Sequence, residues 1–171
     1  MRVMCTNVAV LAALAVVACD PASMNDVEDA PAFGVAANGD HRVVGSGHVE
    51  QSAGLREFVF HALQDADGNA KGSYTITLPS GVFLTVNVTC MSVVGNTGWV
   101  AGRIAETNSS AIRVGSVSYF YAIDNGEGDG VPDRVSAARI NDVDGEDVLF
   151  CANRPLLLPS LTVTDGNVQV R

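Results

Sequence analysis

Tyr74-Thr75-Ile76-Thr77-Leu78-Pro79-Ser80-Gly81-Val82-Phe83-Leu84-Thr85-Val86 alternates apolar and polar residues on both sides of a short turn. A period of two marks a strand with one buried face, so the stretch predicts a hairpin. If Leu78 pairs with Val82 across Pro79-Ser80-Gly81, then Ile76 meets Leu84 and Tyr74 meets Val86. All six then share one face. A slip of one residue would turn every one of them over, so the register is testable.

The same logic extends in both directions. Centring the preceding turn on Gly68 sets Phe58 opposite Leu78, Phe60 opposite Ile76 and Ala62 opposite Tyr74. One strand earlier, across the turn 51–54, Val43, Gly45, Gly47 and Val49 fall beside the phenylalanines. A bare glycine beneath an aromatic ring is a known way to shield a strand. Forward of Val86, the alternation carries Val88 and Cys90 on the same inward face as far as Val94. A turn at Gly95-Asn96-Thr97 then brings in Val100 and Ile104. The predicted core is therefore Phe58, Phe60, Ile76, Leu78, Leu84, Val86, Val100 and Ile104.

Further strands are predicted over 114–123, 134–140, 147–151 and 167–171, and no stretch shows helical spacing. The fold class is all-β: an antiparallel meander of about 8–9 strands. With one apolar face, such a meander closes as a small barrel, the alternative being a β-sandwich. One domain over 42–171 accounts for it.

Upstream of the domain the chain carries an address. Residues 1–7 hold one charge, Arg2, and the apolar run 8–18 covers about 16 Å as a helix, roughly half a bilayer core. That length is a signal-peptide core and not a membrane span. Val16-Val17-Ala18-Cys19 resembles the bacterial lipobox, which implies a signal peptide over 1–18, cleavage before Cys19 and lipid on the Cys19 sulfur. The expected location is extracytoplasmic, with the membrane reached through the Cys19 lipid anchor. Asp20 resembles an inner-membrane retention signal, but the rule varies between lineages and leaves both membranes open. Residues 19–41 are acidic, rich in small residues and aperiodic, and are read as a flexible tether.

Charge excludes some partners. Ten lysines and arginines, one of them Arg2, stand against 19 acids, for a net charge of −9. No basic stripe exists to neutralise phosphates, so nucleic acid is not an expected partner. Of four cysteines, Cys5 leaves with the signal and Cys19 is acylated, so Cys90 and Cys151 remain. In an oxidising compartment they read as one disulfide, the alternative being two buried thiols.

Val88-Thr89-Cys90-Met91-Ser92-Val93-Val94-Gly95-Asn96 precedes Ala101-Gly102-Arg103. A second run, Val117-Ser118-Tyr119-Phe120-Tyr121-Ala122-Ile123-Asp124-Asn125-Gly126-Glu127-Gly128, leads to Pro132-Asp133-Arg134 and a terminal Gly166-Asn167-Val168-Gln169-Val170. In that order these motifs resemble a small all-β domain of bacterial secreted and surface lipoproteins. The resemblance covers roughly 44–171, implies the fold and the location, and carries over no catalytic residue.

Chemistry concentrates in the loop 124–133. Asp124, Asn125, Glu127, Asp129 and Asp133 alternate with glycines, the pattern of oxygen ligands and tight turns that a Ca²⁺ loop uses. The alternative is a solvated hairpin. A second acidic loop, Asn141-Asp142-Val143-Asp144-Gly145-Glu146-Asp147, would add to a cation site only if the two loops shared a rim. His41, His48 and His61 show no metal-site spacing, and no serine lies in a nucleophile elbow. Trp99 and Arg103 share the outer face, where a Trp either contacts a ligand or packs beneath a covering layer. The expected function is a non-catalytic envelope lipoprotein with a structural or binding role. The alternatives are a small-ligand carrier using the barrel interior, a calcium-stabilised surface or adhesion module and, last, an envelope hydrolase.

Overall fold

A computed structural model describes residues 40–127 and 130–171. The predicted signal peptide, Cys19, nearly all of the predicted tether, and Asp129 lie outside the described residues. The described chain forms β1 (His41–Gln51), β2 (Gly54–Gln64), β3 (Ala70–Thr77), β4 (Phe83–Val94) and β5 (Thr97–Thr107). It continues through β6 (Val117–Ile123), β7 (Arg134–Ser136), β8 (Arg139–Asn141), α1 (Glu146–Asn153) and β9 (Ser160–Val170).

Each strand from β1 to β7 pairs antiparallel with the next, and β9 closes the ring between β7 and β1. Eight strands make a closed barrel, and β8 is an extra strand beside β6. The barrel was the preferred expectation over the sandwich. Closure follows from the pattern: a one-faced sheet of this length buries its apolar side most completely by curling onto itself.

Register agrees with the reading where the turns are tight. Tyr74 pairs with Val86 and Ile76 with Leu84. Gly45 lies opposite Phe60, and Gly47 opposite Phe58. A Cβ built on Gly45 would sit 2.8 Å from the Phe60 ring, so only glycine lets that ring lie flat across β1. Across the barrel, a Cβ on Gly98 would fall 2.3 Å from a Val43 methyl, which shows how narrow the interior is. Phe58, Phe60, Ile76, Leu84, Val86, Val100 and Ile104 are all buried in one cluster, with Leu78 partly buried at its edge. Phe120 from β6 completes it, its ring 5.0 Å from both Phe60 and Tyr74. Aromatic pairs of this kind add about 0.5–1.5 kcal/mol beyond their buried area.

Five expectations need correction. Between β2 and β3 the observed pairs are Phe58 with Ile76 and Phe60 with Tyr74, a shift of two residues that leaves the faces unchanged. The cause is Asp65, whose carboxylate accepts the amides of Asp67 and Asn69 and recentres the turn on Asp67. On β4, a bulge between Val88 and Cys90 turns Cys90 outward and brings Met91 into the core. The predicted strand 134–140 is broken into β7 and β8, both paired to the same edge of β6. The predicted strand 147–151 is the helix α1. β9 also starts earlier than the predicted 167, at Ser160.

The helix packs on the outside of the barrel. Phe150 and Cys151 cover Trp99, Ala101, Val117, Tyr119 and Tyr121 on the outer faces of β5 and β6. This second cluster explains why β6 is buried on both faces. A disulfide from Cys90 to Cys151, 61 residues apart, fastens α1 to β4. Glu146 and Asp147 in the first turn complement the helix dipole. Arg154, in the left-handed conformation, ends the helix by donating its N–H to Phe150 O, and Pro155 follows.

Candidate functional site

The barrel interior is filled. The space left beside Arg56, among Phe58, Phe60, Tyr74, Phe120, Val135 and Ser136, amounts to about 10 Å³. That is room for about one water, against roughly 300 Å³ or more for a small-molecule site. Arg56 itself is 2% exposed. It reaches across to β7, where its Nη2 donates to Ser136 O at 3.0 Å, and its Nε has no partner. Burial lowers its guanidinium pKa to about 10. The Tyr74 phenol and Ser118 hydroxyl face one another without a well-formed hydrogen bond, and burial pushes the phenol pKa far up. These groups plug the barrel and leave no ligand-sized space. Apolar side chains point inward and polar ones such as Glu57 and Arg103 outward, the reverse of the polarity a membrane-spanning barrel needs.

The loop 124–133 has a role the sequence did not reveal. β7 is only three residues long, so the edge of β9 beyond it lacks a strand partner. Two carboxylates stand in for that strand. Asp133 Oδ2 accepts the Val168 amide at 2.8 Å, and Asp124 Oδ2 accepts the Val170 amide at 3.0 Å. Their other oxygens hold the loop, accepting from Asn125 and Gly126. Asn125 donates its side-chain amide to Pro132 O, and Glu127 accepts from Asn167. Among the described residues, no three His, Cys, Asp or Glu side chains are grouped to hold a metal. The two acidic loops also lie at opposite ends of β6. Asp124 follows its last residue, while Asp142 bonds Ser116 just before its first.

On the outer faces of β1, β2 and β9, Ser46, His48, Glu57 and Asp165 line an open recess of about 390 Å³. His48 Nδ1 lies 3.6 Å from Asp165 Oδ2, and Glu57 is its cross-strand neighbour on β2. The Asp165 side chain is largely in solvent, and Ser46 makes no hydrogen bond to His48 among the described residues. A nucleophile needs its base within about 2.6–3.2 Å, so this row is a polar surface and not an assembled catalytic site. His41 opens β1, and His61 lies opposite Val44 on the outer face, as the register predicts.

Another recess, about 310 Å³, runs beside α1 among Tyr119, Arg139, Glu146, Leu149, Phe150 and Leu157. Its walls are held firmly. Trp99 is buried beneath them, its indole N–H donating to Pro155 O at 3.1 Å. The Tyr121 hydroxyl donates to Leu158 O at 2.7 Å, and the Tyr119 and Phe150 rings lie 4.4 Å apart. Arg103, on the same outer face, holds Asp144 at 3.1 Å and Asp147 at 3.7 Å. Asp147 also accepts the Thr89 hydroxyl.

Around this recess the surface is apolar. Val148 is 62% exposed, Leu149 54%, Leu156 58% and Leu157 90%. The chain matches no family model, no curated protein and no solved structure. The surface is apolar and pinned, with Arg139 lining the recess and Arg154 exposed at the end of α1. The sequence carried a signal for it: three leucines between Pro155 and Pro159 lie outside any strand pattern, and only Leu158 packs into the second cluster.

Proposed function

We propose that the chain is a bacterial cell-envelope lipoprotein, anchored by lipid on Cys19, whose β-barrel domain has a non-catalytic binding or structural role. The observation that carries the binding role is the apolar face around α1, which lies outside a barrel whose interior is already filled. A packed interior directs recognition to the surface, and contiguous exposed apolar side chains mark an interaction surface. Support for the anchor comes from Val16-Val17-Ala18-Cys19 behind a short apolar run. The disulfide fits the same reading, since such bonds persist in oxidising compartments. A carrier function is less well supported, because about 10 Å³ inside the barrel cannot hold a ligand.

The test is cell fractionation of the full-length chain and its Cys19→Ser variant. The wild-type chain should sediment with membranes and be released by detergent, and the variant should be released without it. Equal distribution of the two would contradict the reading.

A further inference from the structure

α1 carries apolar side chains on its packed and on its solvent side. Phe150 and Cys151 face the barrel with Asp147 and are buried, while Val148, Leu149 and Ala152 face solvent. An exposed apolar patch of this kind marks a surface that something covers. The barrel covers only one side of the helix.

We propose that the bilayer covers the other side: the surface formed by α1 and the loop after it docks onto lipid, with Leu149 and Leu157 entering the acyl region. The inference rests on the lipoprotein reading and adds the orientation of the domain.

Four observations favour lipid over another protein. Leu157 is 90% exposed at the edge of the recess beside α1, so it stands out from the surface as a wedge. Its loop is pinned on both sides, by the Trp99 bond to Pro155 O and the Tyr121 bond to Leu158 O. Insertion therefore costs little ordering of the chain.

The nearby acids are paired. Asp147 is buried against Arg103 and Thr89, Glu146 meets Tyr119, and Asp142 and Asp144, though largely in solvent, pair with Arg113 and Arg103. Arg139 and Arg154 stay exposed beside the leucines, where they suit phosphate headgroups. Finally, the chain between Cys19 and Asp40 spans at most about 70 Å fully extended, so the domain of an anchored chain never leaves the bilayer's neighbourhood. Tethering of that kind makes a weak second contact effective.

The test uses the mature, lipidated chain in vesicles of phosphatidylcholine and phosphatidylglycerol. Leu157→Trp reports on the surface after subtraction of the wild-type emission. Val59→Trp, exposed on the outer face of β2, is the control. The expected result is a blue shift for Leu157→Trp and quenching by acyl-brominated lipid at least about two-fold stronger than for the control. In the Cys19→Ser background, Leu149→Asp with Leu157→Asp should lower flotation with the same vesicles by at least about ten-fold. Both leucines are exposed, and circular dichroism checks that the fold is retained.

An anchored chain whose Leu157→Trp is quenched no more than the control overturns the docking and leaves the lipoprotein reading intact. A Cys19 without lipid overturns the lipoprotein reading. Docking is then decided by flotation of the unlipidated chain, which must occur and must depend on the two leucines. A blue shift that grows with protein concentration without vesicles assigns the surface to a second copy and overturns the proposal.

Discussion

Asp133, in the loop before β7, places one carboxylate oxygen 2.8 Å from the amide nitrogen of Val168 on β9. Its other oxygen accepts the Asn125 amide at the same distance. A buried carboxylate thus closes the barrel where the ladder has run out. Asn at this position keeps one acceptor and turns a donor toward an amide N–H. Asp133→Asn should therefore cost about 1–3 kcal/mol in denaturant unfolding. Because Asp124 and Asp133 are already committed to backbone amides, melting curves in excess chelator and in millimolar CaCl₂ should coincide. A rise in melting temperature with calcium that Asp129→Asn removes would restore the calcium reading of this loop.

The disulfide links the outer layer to the barrel across 61 residues of chain. Closing a loop of that size contributes about 4 kcal/mol in the chain-entropy model. Cys90→Ser and Cys151→Ser should lower the unfolding midpoint about equally, and the double variant should add little. Reduction should also free α1 first. The sign would be a red shift of Trp99 emission before the sheet signal in circular dichroism is lost.

Core register has its own test. Phe60→Ala removes the ring that packs on Gly45 and Phe120, and should cost about 3–5 kcal/mol. Thr77→Ala, on the opposite face of β3, should cost under about 1 kcal/mol. Comparable losses would mean that the faces are assigned wrongly.

Why that register was readable, and other features were not, has a physical basis. Strict alternation on β1 to β5 leaves one arrangement that buries Phe58, Phe60, Ile76 and Leu84 together, and tight turns such as that after Leu78 set the pairing. Asp65 recentres its turn by one residue, which shifts the pairing by two, keeps every face and so cannot be detected from burial. The bulge at Thr89 is different: it flips Cys90, and only the helix that Cys90 must reach explains it. That helix has eight residues, too few to show a period. Val148 and Phe150 imitate a strand, although the acids before them and Asn153-Arg154-Pro155 after them were legible start and stop signals. The amide-accepting role of Asp124 and Asp133 was hidden because metal ligands and amide acceptors are the same residue type. Only the short β7 shows that they accept amides of β9.

Two interior groups predict opposite pH effects. Burial holds the Tyr74 phenol protonated well above its ordinary range, so above about pH 10 the folded state binds more protons than the unfolded state. Its contribution to stability is present below pH 10 and is lost as pH rises. Arg56 acts in the other direction. Its pKa falls from the ordinary guanidinium range to about 10, so its burial penalty applies fully below pH 10 and eases as the pH rises further. Phenolate absorbance separates the two. The unfolded chain should titrate all three tyrosines together, whereas the folded chain should hold Tyr74 back until it unfolds. Desolvation and Glu146 also raise the Tyr119 phenol pKa. Tyr74→Phe should therefore remove the phenol that waits for unfolding and leave the Tyr119 delay. An unchanged titration in the variant would contradict the assignment.

The central claim, that this barrel is held at a membrane by its own N-terminus, is tested most directly by the intact mass of the protein extracted from the membrane fraction. The account predicts a chain that begins at Cys19, carries diacylglycerol on its sulfur and contains one disulfide. A chain recovered from the soluble fraction with an unmodified Cys19, or one cleaved at another residue, would contradict it.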